Sequence, residues 1–469
     1  MPSSSVEPIG TLSPSTLSGS PAWMATFSTD GRYLAVCFGN PNTHVKVWKF
    51  QPPPTTSTSL QTSNNNSLEE EWEPIGVNTH NTTTRKEEDV SKQWKLITTI
   101  SEEHTRTIRS VAFAPTSSTL GVPILATASF DGKVLIWECY PDNGNGQNDD
   151  YDDDEDCTNN NNLFEPIAQL EGHENEIKCL AWNTTGSLLA SCGRDKTIWI
   201  WECYLPGTVG GVETSNINNG LEQQQQEDGG EFECLAVLQG HDGDVKCIVF
   251  GPSHSQWGEG DEVLYSASYD NTIKIWAEES GDWYCAATLG GGNSTTMFAD
   301  VHTSTVWSLG LTNSGVRLFS GCDDGGMAIW KMYTAAERKR LFPKASAAVV
   351  CSTDGLWNCV GVLPDAHSSY AVLSIDCAPS RAGHGRVVTG GGDNCINIYR
   401  EETTTTASKE DGGESATTSS DAPKFTIEAV ADDAHDGDVN CVKWHPRDGT
   451  CLVSCGDDGA VKLWKYRRG

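Results

Sequence analysis

The sequence predicts an all-β protein: a seven-bladed β-propeller closed by pairing of an N-terminal strand with the last blade. Three observations predict it. A ladder of His, Ser or Thr, Asp and an aromatic residue recurs six times along the 469 residues. Each ladder lies among short runs rich in β-branched and aromatic residues, punctuated by Gly, Asp and Asn, the signature of strands joined by tight turns. A seventh unit keeps the strand pattern without the ladder. Self-similarity on this scale marks a repeat architecture, in which each unit buries its apolar face against its neighbours.

In chain order the ladders read His104, Thr127, Asp131, Trp137; His173, Ser191, Asp195, Trp201; and His241, Ser266, Asp270, Trp276. They continue with His302, Ser320, Asp324, Trp330; His367, Thr389, Asp393, Tyr399; and His435, Ser454, Asp458, Trp464. In all six, Ser or Thr precedes Asp by four residues and Asp precedes the aromatic by six. The residue types suit a buried hydrogen-bond chain. The carboxylate accepts, the imidazole relays, the hydroxyl donates and accepts, and the indole N–H donates. Such a chain satisfies each buried polar group. The Tyr399 hydroxyl is expected to donate in place of an indole. One His–Asp–Ser set would suggest a nucleophilic triad; six copies indicate architecture. This is the pattern of WD-repeat propellers, which the sequence resembles over nearly all of its ordered length.

The strands follow from the ladder. Strand a comes after each His (IRSVAF, IKCLAW, VKCIVF, VWSLGL, VNCVKW) and strand b precedes the Asp (LATAS, LLASC, LYSAS, RLFSG). Strand c ends in the aromatic (KVLIW, TIWIW, TIKIW, AVKLW), and strand d usually opens with one (WKLITTI, FEPIAQL, FECLAVL, WYCAATL). The unit at 22–48 has Asn42 where Asp should stand and Phe38 where Ser or Thr should. The unit ending at Trp464 lacks a following strand d, and VEPIGTL at 6–12 resembles FEPIAQL at 164–170. That segment is predicted to pair beside Trp464 and close the ring, which removes most exposed sheet edge. One propeller domain is expected over 5–467, with units near 22–48, 104–137, 173–201, 241–276, 302–330, 367–399 and 435–464. Polar, low-complexity inserts near 51–90, 141–162, 205–230 and 401–423 are expected to be disordered.

The formal charge of −32 argues against a general nucleic-acid or anionic-membrane binder, since both need a positive field. No apolar run approaches membrane-spanning length, and the start MPSSSVEPIG has no basic or apolar signal region. The seventeen cysteines show no CxxC pair and no zinc spacing, so they read as small buried hydrophobes. Cys451 and Cys455 share a strand face, but two ligands do not make a metal site. No Gly-rich phosphate loop or isolated triad appears, so no enzyme activity, cofactor or metal is expected.

Against this acidic background one local exception stands out. The residue before each ladder Asp is Phe130, Arg194, Tyr269, Asp323, Gly392 and Asp457 in turn. One position after the first apolar residue of strand a stand Arg109, Lys178, Lys246, Trp307 and Asn440. Arg194, Lys178, Lys246, Phe130, Tyr269, Arg109 and Trp307 are therefore the candidate partner-binding residues, because arginine and aromatics at a rim are the composition of an interaction hot spot. The competing reading is that these cations only offset nearby acids. Trp199 reads as a packing residue between blades.

The segments LEGHENEIKCLAW, SCGRDKTIWIWE, SASYDNTIKIW, DWYCAATL, AHDGDVNCVKWHP and SCGDDGAVKLWKY carry a narrower resemblance. They resemble the WD-repeat proteins of the cytosolic iron–sulfur protein assembly machinery, over roughly 22–467 and most specifically at 170–202. The first blade, the segment 290–302 and the long inserts depart from that family's pattern. The resemblance implies a non-catalytic scaffold that helps target Fe–S clusters to cytosolic and nuclear apoproteins without holding the cluster. It implies protein partners: a HEAT-repeat adaptor, a small acidic adaptor, an iron-hydrogenase-like cluster carrier and Fe–S apoproteins. It implies a cytoplasmic location, with a nuclear pool left open. The alternative is a WD-repeat substrate receptor of a ubiquitin ligase, or a chromatin-associated WD scaffold. Either would need a docking element outside the ring.

Overall fold

The computed structural model describes residues 4–14, 19–52, 90–115, 123–140, 164–205, 230–252, 262–290, 301–333, 337, 357–379, 385–402 and 424–469. Its strands form seven antiparallel four-stranded sheets. Taking strands a to d in order, blade 1 holds Ala22–Phe27, Tyr33–Phe38, His44–Phe50 and Trp94–Ser101. Blade 2 holds Ile108–Phe113, Ile124–Ser129, Lys133–Cys139 and Phe164–Glu171, and blade 3 Ile177–Trp182, Leu188–Gly193, Ile198–Tyr204 and Glu231–Leu238. Blade 4 holds Val245–Phe250, Val263–Ser268, Ile273–Glu279 and Asp282–Leu289, and blade 5 Val306–Leu311, Arg317–Cys322, Met327–Met332 and Trp357–Leu363. Blade 6 holds Val372–Cys377, Arg386–Gly391, Ile396–Glu401 and Phe425–Ala431. Blade 7 takes Cys441–Trp444, Cys451–Cys455 and Val461–Arg467 from the end of the chain, and Ser5–Ser13 from its beginning. The N-terminal strand pairs Val6 with Tyr466 and Pro8 with Trp464, which closes the ring as the sequence predicts.

Alternation along each strand sends successive side chains to opposite faces of a blade, so every inner strand feeds two interfaces. Leu189 packs towards blade 2 with Trp201 and Ile136, while Leu188 and Ala190 pack towards blade 4 with Val245 and Leu264. The buried apolar clusters follow this rule, one at each interface between neighbouring blades. Strand b of blade 3 is buried along its whole length, whereas strand d of the same blade is mostly exposed. The described cysteines are all free, and Cys192, Cys322, Cys451 and Cys455 are buried as small apolar side chains would be. Cys234 and Cys285 break that expectation: both are exposed on outer strands. The expected inserts fall outside the described residues apart from their terminal positions. Among the described residues no helix is long and apolar enough to cross a membrane.

Strand a faces the centre, and its free edge is clasped across blades. The Leu180 N–H donates to Ser110 Oγ at 3.0 Å, and the Val442 N–H to Ser374 Oγ at 3.1 Å. These bonds pair backbone groups that a sheet edge would otherwise leave open.

Candidate functional site

The repeated polar residues come together in the interior. In blade 3, His173 Nδ1 lies 2.7 Å from Asp195, His173 Nε2 lies 2.9 Å from Ser191 Oγ, and the Trp201 indole donates to the same hydroxyl at 3.0 Å. The same chain forms around Thr127, Ser266 and Ser454. Burial opposes ionisation of Asp458, yet hydrogen bonding and charge from His435 pull its carboxyl down to about 2. The residue after each Asp takes a left-handed conformation: Gly132, Lys196, Asn271, Gly325, Asn394 and Gly459 all have positive φ. Gly and Asn suit that turn, and Lys196 is the exception.

Two ladders depart from the expected chain. In blade 5, His302 bonds Ser320 at 2.6 Å, but Asp324 makes no hydrogen bond to it; Asp324 accepts from the Thr303 hydroxyl at 3.2 Å and keeps the turn bond common to the ladders, from the Gly326 N–H at 2.9 Å. Burial then lowers the His302 pKa to about 4 and keeps the ring neutral. In blade 6, His367 reaches both Asp393 and Thr389, but the Tyr399 hydroxyl donates to the Ala366 carbonyl at 2.8 Å. The larger reach of a phenol carries its oxygen past the threonine. Trp199 packs against the apolar cluster between blades 2 and 3, stacked on Trp201 at 5.3 Å and covering Gly172, where a Cβ would overlap its ring.

The face above the ladders is built by one repeated bond. The first residue of each b–c turn donates its N–H to a carbonyl at the entry of strand a: Phe130 to Thr107, Arg194 to Glu176 and Tyr269 to Asp244. Asp323 likewise bonds Thr305, Gly392 bonds Ala371, Asp457 bonds Asp438, and in blade 1 Gly39 bonds Pro21. Each turn residue is thereby held beside the rim-facing position of strand a.

On blades 1 to 5 this rim carries alternating cations and rings. The Arg109 guanidinium lies 4.8 Å from the Trp23 ring centre, and the Lys178 ammonium 4.0 Å from that of Phe130. Lys246 sits between Tyr269 at 5.6 Å and Trp307 at 4.9 Å. Such cation–π contacts hold long side chains in place. Burial holds the Lys178 ammonium below the usual lysine value; Glu176 opposes this, while the like charges of Lys246 and Arg109 add to it. The three cations therefore share one electrostatic field.

Glu176 is the hub of this region. It accepts from Lys178 at 2.6 Å and Arg106 at 2.8 Å, and lies 3.7 Å from Arg194. Arg194 keeps 56% of its side chain exposed. Lys246 is paired with Asp244 at 3.2 Å. Rim cations thus do meet acids, and Arg194 makes no direct contact with Tyr269 or Lys246 among the described residues. Sequence reasoning missed Trp23, Arg106 and Glu176. Trp23 occupies the same strand-a position as Arg109, but the absent ladder of blade 1 hid its register.

Comparison with known proteins agrees with the repeat. The family described as WD domain, G-beta repeat matches residues 94–138, 164–202, 232–277, 293–331 and 428–465. A probable cytosolic iron-sulfur protein assembly protein 1 from Meyerozyma guilliermondii is 32% identical over 360 residues, covering 66% of this chain and 89% of that protein. Proteins of the same name from Candida dubliniensis and Debaryomyces hansenii are each 31% identical, over 80% of this chain and 88% and 89% of their own lengths. With its ring closed by the N-terminal strand and its ladders in place, the chain belongs to the WD-repeat family of cytosolic iron–sulfur protein assembly proteins.

Proposed function

We propose that this chain is a non-catalytic scaffold that helps target Fe–S clusters to cytosolic and nuclear apoproteins. The names of its relatives support the pathway, and the rim of blades 2 to 4 supports the scaffold role. Propeller architecture alone would not decide function. The observation that carries the proposal is the contiguous arc of Arg109, Lys178 and Lys246, bracketed by Trp23 and Trp307 and topped by Phe130, Arg194 and Tyr269. Guanidinium and aromatic groups held on a rigid surface suit an acidic, aromatic segment or a terminal carboxylate of a protein partner. The proposed partners are a HEAT-repeat adaptor, a small acidic adaptor, an iron-hydrogenase-like carrier and Fe–S apoproteins, met in the cytoplasm. The span from Ser5 to Arg467 acts as one unit, because its first and last strands share a blade.

The test is capture from cytosolic extract by the purified protein, with Arg194→Glu alongside and the bound proteins identified by mass spectrometry. Recovery of Fe–S assembly proteins and apoproteins by the native chain, lost in the variant at unchanged melting temperature, is the expected result. Equal recovery by both forms moves the site elsewhere. Recovery of ubiquitin-ligase or chromatin subunits overturns the functional reading.

A further inference from the structure

Strand c carries a lysine at the same place in three blades, and among the described residues Lys46 is the one of the three without a polar partner. Lys46, Lys274 and Lys462 pair across the sheet with Val36, Ser266 and Ser454, the hydroxyl position of strand b. Lys274 Nζ donates to Thr288 Oγ1 at 3.0 Å, and Lys462 Nζ to the Ala434 carbonyl at 2.7 Å. Thr99 stands opposite Lys46 on strand d as Thr288 stands opposite Lys274, yet the matching bond does not form. The Lys46 ammonium rests instead 5.4 Å from the centre of the Phe38 ring, with no ion pair or hydrogen bond among the described residues. It is half-buried, and burial holds its pKa below the usual lysine value.

A longer turn leaves space around this ammonium. Val36 and Trp48 are twelve residues apart, where the equivalent Ser191 and Trp201 are ten. In blade 3 Trp199 takes the place of Lys46, and its ring fills the space over Gly172. In blade 2 the b–c turn packs on the next connection, where a Cβ on Gly132 would meet the His173 carbonyl at 3.1 Å. In blade 1 a cleft of about 620 Å³ opens between residues 40–46 and 99–105. Its walls carry the amide and hydroxyl groups of Asn40, Asn42, Thr43, Thr99 and Ser101, with Lys46 as its lysine and Glu102 as its carboxylate. His44 is held neutral: its Nδ1–H donates to the Asn42 carbonyl, its Nε2 is buried without a partner, and burial, helped by the Lys46 charge, lowers its pKa.

A half-buried ammonium that no acid neutralises attracts an anion, and the surrounding amides and hydroxyls suit a ligand rich in hydroxyl groups. The volume lies in the range of small-molecule sites. We infer that this cleft binds a small polyhydroxylated molecule by one oxyanion, a carboxylate or a phosphate, held by Lys46. Glu102 accepts from the ligand's hydroxyl groups and repels a second anionic group. The site is independent of the proposed partner surface, because none of the cations on blades 2 to 4 lines the cleft.

Isothermal titration calorimetry on the full-length protein tests this with gluconate, glucose 6-phosphate and, as the neutral control, glucose. At least one of the two anions is expected to bind, and the tighter of them identifies the oxyanion. Glucose should bind roughly tenfold more weakly, and the anion's advantage should shrink at high salt. Lys46→Met keeps an apolar stem over Phe38 and removes the charge. It should weaken the anion roughly tenfold or more at unchanged melting temperature. Lys274→Met should bind as the native protein does. Thr99→Val, at an exposed position of strand d, should weaken binding several-fold, a second reading that does not depend on how Lys46→Met folds. Failure of both anions to bind, glucose binding as tightly as either, or full binding by Lys46→Met or Thr99→Val overturns the inference. None of these results bears on capture of partners through Arg194.

Discussion

Blade 3 and blade 1 have the same four strands and hold their turns by different means. Blade 3 runs an unbroken hydrogen-bond chain from Asp195 through His173 and Ser191 to Trp201, with Trp199 stacked beneath. Blade 1 has no such chain. The register corrects the sequence expectation: Val36, not Phe38, stands at the hydroxyl position, and the longer b–c turn puts Asn40 rather than Asn42 after Gly39, the counterpart of Arg194. Phe38 stacks on His44 at 4.4 Å, while the Asn42 N–H bonds Ser20 Oγ at 2.8 Å. His44 Nδ1–H donates to the Asn42 carbonyl at 2.7 Å. Both blades bury their inner strands completely enough to share apolar clusters with their neighbours. The difference teaches that apolar packing between sheets makes a blade, and that the ladder fixes the turn on which rim residues stand.

That contrast can be broken at its strongest point. Asp195→Ala strands the His173 imidazole and the Glu174 and Thr197 N–H groups that the carboxylate accepts. A loss of about 3 kcal/mol is expected in urea unfolding. Asn42→Ala, in the b–c turn of blade 1, removes an exposed side chain and should cost less than about 0.5 kcal/mol. Equal losses at the two positions would refute the division of labour.

The incomplete ladder of blade 5 sharpens the comparison through pH. The His302 pKa is lowered by burial to about 4, from 6.5 in the open chain. A depressed pKa contributes stability that is whole above the unfolded value and is lost as pH falls through the folded one. Stability should therefore drop on the order of 2–3 kcal/mol between pH 6.5 and 4 through this residue. His302→Gln should flatten that part of the profile, measured as melting temperature against pH. The carboxylate of Asp458, held down to about 2, should give its loss lower, as pH falls from about 4 towards 2.

Smaller effects separate packing from turn strain. Gly172→Ala pushes a methyl group into the Trp199 ring and is expected to cost 1–2 kcal/mol, roughly the range for overpacking. Lys196, with φ of 68°, stands where the other ladders use Gly or Asn. Lys196→Gly should raise stability slightly, by less than about 1 kcal/mol, read as a small upward shift in melting temperature.

Much of this was legible because repetition carries its own controls. The ladder positions, the closing strand and the rim positions Arg109, Lys178, Lys246 and Trp307 recur at fixed offsets, so each copy identifies the others. What was hidden is geometry that spacing does not encode. His302 and Ser320 are as far apart in sequence as His173 and Ser191, yet only the blade 3 histidine meets its aspartate. Tyr399 keeps the aromatic place and sends its hydroxyl to a carbonyl instead. Arg106 and Glu176 lie in d–a connections whose residue types change from blade to blade, so the pattern did not mark them as the neighbours of Arg194.

Residues 194 and 195 stand side by side, one on the rim and one in the ladder, and together they give the most direct test. Melting temperature and capture of Fe–S assembly proteins should be measured for Arg194→Glu and Asp195→Ala in parallel. The expected result is a split: Arg194→Glu loses capture with its melting temperature unchanged, and Asp195→Ala loses stability. Full capture by a stably folded Arg194→Glu protein would contradict the assignment of partner binding to this rim.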